Sequence, residues 1–149
     1  LPSLPHAAYA ATACALNGRL YVMGGCACNK LQVLEMSEEN EFTWTVKAEL
    51  PSSRFDAASA VVDGKLWLIG GTANWQASNL VLIYDIDADS WGTGPALPRA
   101  ASCARATTLN GEVYVVSHVG SWIHRNAAWV DIPGGPEVRW NTCAGALLG

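Results

Sequence analysis

The side chains in this sequence best suited to chemistry are its cysteines and histidines, and their spacing argues against a shared site. Cys26 and Cys28 form a Cys-x-Cys pair directly after Gly24-Gly25. Zinc takes four ligands, usually as two paired sets, and the chain offers no second pair at the usual spacing. His118 and His124 are six residues apart, which is neither a strand-face nor a helix-face spacing for joint coordination. His6 carries no comparable signal. No metal, no cofactor and no catalytic residue set is therefore expected. Glu35, Glu38, Glu39 and Glu41 form an acidic cluster that reads as a solvated turn. Binding chemistry is better represented. Asn74, Trp75 and Gln76 follow Gly70-Gly71 in a long loop, and Trp122 and His124 fall in what reads as a later loop. A loop tryptophan has no packing duty by default and is enriched in interface hot spots. These five residues are expected to touch a partner, whereas Trp44, Trp67, Trp91 and Trp140 fall in strands and read as core.

Composition narrows the partner. Half of the 149 residues are apolar, enough for a sizeable core, and only 15% are charged, with a formal net charge of −4. No excess of Lys and Arg exists to neutralise a phosphate backbone, so nucleic acid is a poor fit. Apolar runs such as Leu66 to Ile69 and Leu80 to Tyr84 fall far short of the ~20 residues of a membrane-spanning helix, and no membrane partner is expected. Five cysteines, Cys14, Cys26, Cys28, Cys103 and Cys143, match no compact disulfide framework. Together with the lack of an Asn-x-Ser/Thr acceptor, this points to a reducing, cytoplasmic setting. The chain begins at Leu1 without a basic and apolar leader, which reads as a segment cut from a longer chain or processed.

What must hold these side chains is a repeat. Leu4-Pro5, Leu50-Pro51 and Leu97-Pro98 are 46 and 47 residues apart, and Asn17-Gly18, Asp63-Gly64 and Asn110-Gly111 share that period. Each Asn/Asp-Gly pair supplies the positive φ of a two-residue hairpin turn and precedes a short apolar strand. Trp44 and Trp91 recur at 47 residues, and Trp140 follows 49 later. No window of helical length holds a 3.6-residue period. Each period reads as four short strands, near 9–16, 19–23, 31–36 and 43–47, then 56–62, 65–69, 80–86 and 90–93, then 103–109, 112–116, 126–132 and 137–141. A four-stranded unit cannot bury both faces alone, so neighbours must stack, and radial stacking makes a propeller.

The order Arg54, Asp63-Gly64-Lys65-Leu66-Trp67-Leu68-Ile69-Gly70-Gly71, Tyr84-Asp85, Trp91 resembles the kelch repeat. The first copy keeps Asn17-Gly18, Tyr21, Gly24-Gly25 and Trp44. It has Leu34-Glu35 in place of Tyr-Asp and Ala8 in place of the arginine. The third keeps Asn110-Gly111, Tyr114, Val130-Asp131 and Trp140, replaces Gly-Gly by Ser117-His118, and has its arginine, Arg99, shifted two places. The chain lacks the Gly-His and Trp-Asp markers of WD40 repeats, and its period exceeds their ~40–45 residues.

The resemblance implies an all-β, kelch-type β-propeller with three four-stranded blades, about 4–49, 50–96 and 97–149, forming an incomplete ring. Propellers typically close with four to eight blades. The remaining blades are expected from the same chain or from a second copy. It also implies that Arg54 is a structural donor and that Asp56 stands at the mouth of the channel among ligand-contacting positions, with Ala10 and Cys103 in the equivalent places. Function is then expected to be a protein–protein interaction scaffold for a protein or peptide partner, such as a substrate receptor or assembly module. The competing readings are a kelch-fold enzyme (a radical copper oxidase, a sugar epimerase or an iron-dependent specifier-type protein) and a structural subunit of a large assembly.

Overall fold

The computed structural model describes residues 2–133; Trp140, Cys143 and the strand expected at 137–141 lie outside the described residues. The first blade contains β1 (Thr12–Leu16), β2 (Arg19–Met23), β3 (Leu31–Met36) and β4 (Phe42–Lys47). The second contains β5 (Ala58–Val62), β6 (Lys65–Ile69), a two-residue hairpin β7 (Thr72–Ala73) and β8 (Gln76–Ala77), then β9 (Val81–Asp85) and β10 (Ser90–Thr93). The third contains β11 (Arg105–Leu109), β12 (Glu112–Ser117), β13 (Gly120–Arg125) and β14 (Ala128–Asp131). Three antiparallel four-stranded sheets result, ordered β1-β2-β3-β4, β5-β6-β9-β10 and β11-β12-β13-β14, with β7-β8 as a small separate ribbon. The described residues form no closed ring, and no helix among them is long and apolar enough to cross a membrane.

The first turn of each blade is set by its dipeptide. Asn17-Gly18, Asp63-Gly64 and Asn110-Gly111 all lie in the left-handed region, with φ of 51 and 71°, 48 and 72°, and 52 and 78°. That twist matches the flanking strands. Alternation along the strands then gives every sheet two apolar faces, and the core sits between blades. Tyr21, Met23, Leu31 and Val33 of the first blade pack on Leu66, Leu68, Leu82 and Tyr84 of the second. Ala60, Trp67, Ile69 and Val81 on the second blade's other face pack on Val113, Val115 and Trp122 of the third.

The Gly-Gly pairs let backbones meet at these joints. Gly70 lies at φ 63°, and a Cβ there would stand 2.5 Å from the Ala101 carbonyl oxygen, while the Gly71 N–H donates to that same oxygen at 2.8 Å. One joint earlier the Gly25 N–H donates to the Arg54 carbonyl at 2.7 Å. The Arg54 side chain is buried and gives Nη1–H to the Gly70 carbonyl at 2.9 Å, the structural role its place in the repeat implied. Burial holds its guanidinium below the usual range.

The third blade departs from the expected register. Ser117 Oγ donates to the Gly120 carbonyl at 2.8 Å and accepts the Val119 N–H at 3.3 Å. The chain therefore turns back at once, where the first two blades insert long loops after Gly-Gly. The third strand is Gly120–Arg125, and the segment expected to be third, 126–132, instead carries the fourth strand, Ala128–Asp131. Trp129 faces His124 in register, as Trp91 faces Tyr84 and Trp44 faces Leu34. Each of the three indoles donates to a carbonyl in the segment leading into its own blade: Trp44 to Pro2 (3.0 Å), Trp91 to Ala48 (2.9 Å), Trp129 to Pro95 (2.8 Å). Trp129 thus fills the place for which spacing suggested Trp140, and His124-Arg125, not Val130-Asp131, stands where the second blade has Tyr84-Asp85.

Candidate functional site

The inner strands β1, β5 and β11 run side by side, stitched by hydroxyls: Thr12 Oγ1 meets Ser59 Oγ at 2.8 Å, Ser59 Oγ reaches the Ala13 carbonyl at 3.2 Å, and Thr108 Oγ1 donates to the Val61 carbonyl at 2.8 Å. To enter these strands the chain must bend sharply. The same left-handed residue does it in each blade: Ala10 (φ 56°), Asp56 (φ 51°) and Cys103 (φ 51°). Asp tolerates this conformation better than most residues, because its short side chain can bond locally. The Asp56 N–H donates to the Ala10 carbonyl at 3.0 Å, tying two blades together at this rim. Below it lies a cavity of about 280 Å³ lined by Ala10 to Ala13, Asp56 to Ser59, Arg105 and Ala106. Burial, and then the neighbouring Asp56 carboxylate, push the Cys103 thiol up. Arg105 Nη1 donates to the Ala104 carbonyl at 2.8 Å.

Beside this rim stands the β7–β8 hairpin. Phe55 pairs through its backbone with Thr72 in both directions, at 3.1 and 2.7 Å, so the hairpin is anchored next to Asp56. Its turn is Asn74-Trp75, both left-handed at φ 49° and 63°. An indole in that conformation is strained. The Trp75 side chain nevertheless remains 81% exposed, its ring edge against Phe55 at 5.5 Å between centroids. Asn74 and Gln76 are exposed on either side.

Of the residues singled out in the sequence, Asp56, Asn74, Trp75 and Gln76 are brought to one end of the molecule by the Phe55–Thr72 bridge. Trp122 and His124 are corrections. Trp122 is 0% exposed, on β13 rather than a loop, with Arg99 stacked over its ring at 5.7 Å. His124 is on the same face of β13, between Trp67 and Trp129 at 5.0 and 4.9 Å, with Nε2 buried and without a hydrogen-bond partner. Burial lowers its pKa. Both belong to the joint between the second and third blades, because the shortened turn at residues 118–119 draws residues 120–125 into the sheet. Tyr9, Phe55 and Arg105 were missed. Tyr9, 81% exposed, occupies in the first blade the place of Phe55 in the second, and the 46-residue spacing of that aromatic pair was the signal. Among the described residues no three His, Cys, Asp or Glu side chains converge where a metal ion could sit, and Cys14, Cys26, Cys28 and Cys103 are free thiols.

Comparison with known proteins agrees with this architecture. The kelch motif matches residues 53–98, the second blade. A putative F-box/kelch-repeat protein of Arabidopsis thaliana is 30% identical over 111 residues, 74% of this chain and 44% of the relative. Human kelch-like protein 35 is 33% identical over 117 residues, 78% of this chain and 20% of the relative. The chain thus spans less than half the length of either. Among solved structures, YjhT superposes with a TM-score of 0.71 at 27% identity, over 77% of this chain and 35% of that one. With the motif, the relatives and the three stacked sheets in agreement, the chain belongs to the kelch-repeat family and has β-propeller architecture.

Proposed function

We propose that this chain is a protein-interaction module that meets a protein or peptide partner through the rim formed by Asp56 and the Asn74-Trp75-Gln76 hairpin. One observation carries the reading: Trp75 sits in a strained turn, anchored from below, with 81% of its surface in water. Strain at an exposed aromatic brings no folding gain, and such residues are typical of binding sites. The kelch-like and F-box/kelch-repeat relatives support an interaction module; service as a substrate receptor or assembly module is the finer form of the proposal. The free thiols support a reducing, cytoplasmic compartment. Leu20 and Val46, 37% and 42% exposed, share the first blade's face turned away from the second, and this apolar face supports further blades, from the same chain or a second copy.

The test is site-specific photo-crosslinking. A crosslinker placed at Trp75 should capture a protein partner from extracts of the source cells, and one at Asp63, in the turn at the opposite end, should not. Adducts from Asp63 alone would overturn the assignment.

A further inference from the structure

We propose that the rim selects one basic side chain, a lysine or arginine on an extended protein segment, held between the Trp75 ring and the Asp56 carboxylate. The inference rests on the interaction reading above and names the chemistry of the partner. Its first support is the state of Asp56. Four surface carboxylates are neutralised by cationic partners: Glu35 with Arg19 (3.0 Å), Asp85 with Lys65 (2.6 Å), Glu49 with Lys30, Asp131 with Arg99 (3.7 Å). Asp56 lies in a cavity wall, its carboxylate in contact with the Cys103 thiol and in no ion pair among the described residues.

The second support is aromatic. Trp75 touches Phe55 in an edge-type contact, which leaves indole surface open. Tyr9 flanks the same joint, one residue before the Ala10 carbonyl that accepts the Asp56 N–H, and is 81% exposed. Aromatic faces attract a cation through the ring quadrupole, and an unpaired carboxylate attracts it through its charge. A partner carboxylate would instead meet like charge at Asp56. Arg105 limits the site. It lines the same cavity, so a second cation entering behind the first would be repelled, and an isolated basic residue fits better than a polybasic tract.

The probes are acetyl-Gly-Gly-Arg-Gly-Gly-amide, its Lys and Glu counterparts, and acetyl-(Arg)₅-amide, titrated into the full chain while the tryptophan indole N–H resonances are followed by NMR. The Arg and Lys peptides should shift the Trp75 signal saturably, with the Glu peptide at least tenfold weaker. The pentaarginine should gain no more than its fivefold statistical advantage over the single-arginine peptide. Asp56→Asn and Trp75→Asn should each weaken Arg-peptide binding fivefold or more; asparagine accepts the left-handed backbone at both sites, and an unchanged or raised melting temperature certifies the fold. Glu-peptide binding as tight as Arg-peptide binding, Arg-peptide binding untouched by Asp56→Asn, or no shift with any peptide would overturn the cation assignment. Crosslinking from Trp75 would then still stand as evidence for the interaction face, so the two readings fail separately.

Discussion

Replacing Gly70 by alanine tests whether the joint between the second and third blades depends on direct backbone contact. Two costs are expected. Holding alanine at φ 63° costs about 1–2 kcal/mol on conformational grounds alone. The added Cβ would also stand 2.5 Å from the Ala101 carbonyl oxygen, well inside van der Waals contact, and that oxygen is fixed by the Gly71 N–H at 2.8 Å. Relief requires the joint to open, which stretches this bond and leaves a buried donor short of its acceptor, for about 1–3 kcal/mol more. The total is about 2–5 kcal/mol. Gly64→Ala is the control, because Gly64 has the same handedness (φ 72°) and an added methyl group would meet nothing within 4 Å; it should cost only the conformational part. Equilibrium urea unfolding of both variants, followed by tryptophan fluorescence, measures the difference. Equal destabilisation by the two substitutions would show that the contact contributes nothing and that backbone conformation alone demands glycine.

The remaining predictions concern side chains. Trp91→Ala should destabilise by about 3–5 kcal/mol as a truncation of a packed indole, but Trp91→Phe by only about 1 kcal/mol for the lost bond to Ala48; coinciding urea midpoints would refute the separation. His124 is held neutral by burial, its pKa below the ordinary 6.5, so the folded state binds fewer protons than the unfolded one. Stability should therefore fall as pH drops from about 6.5 through the lowered folded-state value, and His124→Phe should flatten melting temperature between about pH 5 and 7. Burial pushes the Cys14 thiol up to about 11, so iodoacetamide at pH 8 should spare it in the folded chain and label it in urea, as read by peptide mass mapping. Labelling at equal rates in both states would contradict the burial.

The first two blades were legible because local chemistry and the period agree in them. Asn17-Gly18 and Asp63-Gly64 fix the hairpins, Gly24-Gly25 and Gly70-Gly71 fix the loops, and β2, β3 and β6 span the residues expected for them. The third blade was misread from β13 onward, because Ser117-His118 replaced the glycine pair and Trp140 offered a spacing close to the period. The run Trp122-Ile123 followed by Asn126-Ala127, which turns with φ of 49 and 61°, was a strand and turn signal that the expected loop overrode. At the rim, its place in the loop after Gly70-Gly71 singled out Trp75, and the family's pattern singled out Asp56. That Phe55 would steady one and neighbour the other was out of reach, since the Phe55–Thr72 bridge is a tertiary pairing.

The tryptophan that ties each blade to its own lead-in segment also sets a timetable for synthesis. The Trp91 indole meets the Ala48 carbonyl across 43 residues, and Trp44 meets Pro2 across 42. A segment leaving the ribosome must therefore wait for most of a repeat before its fastener emerges, about 2–9 s at about 5–20 residues per second. Each lead-in segment is thus fastened only once the outermost strand of its blade appears. An interruption in the middle of a repeat leaves that segment unfastened, whereas one just after a fourth strand leaves it tied, with the blade's outer face still waiting for its neighbour.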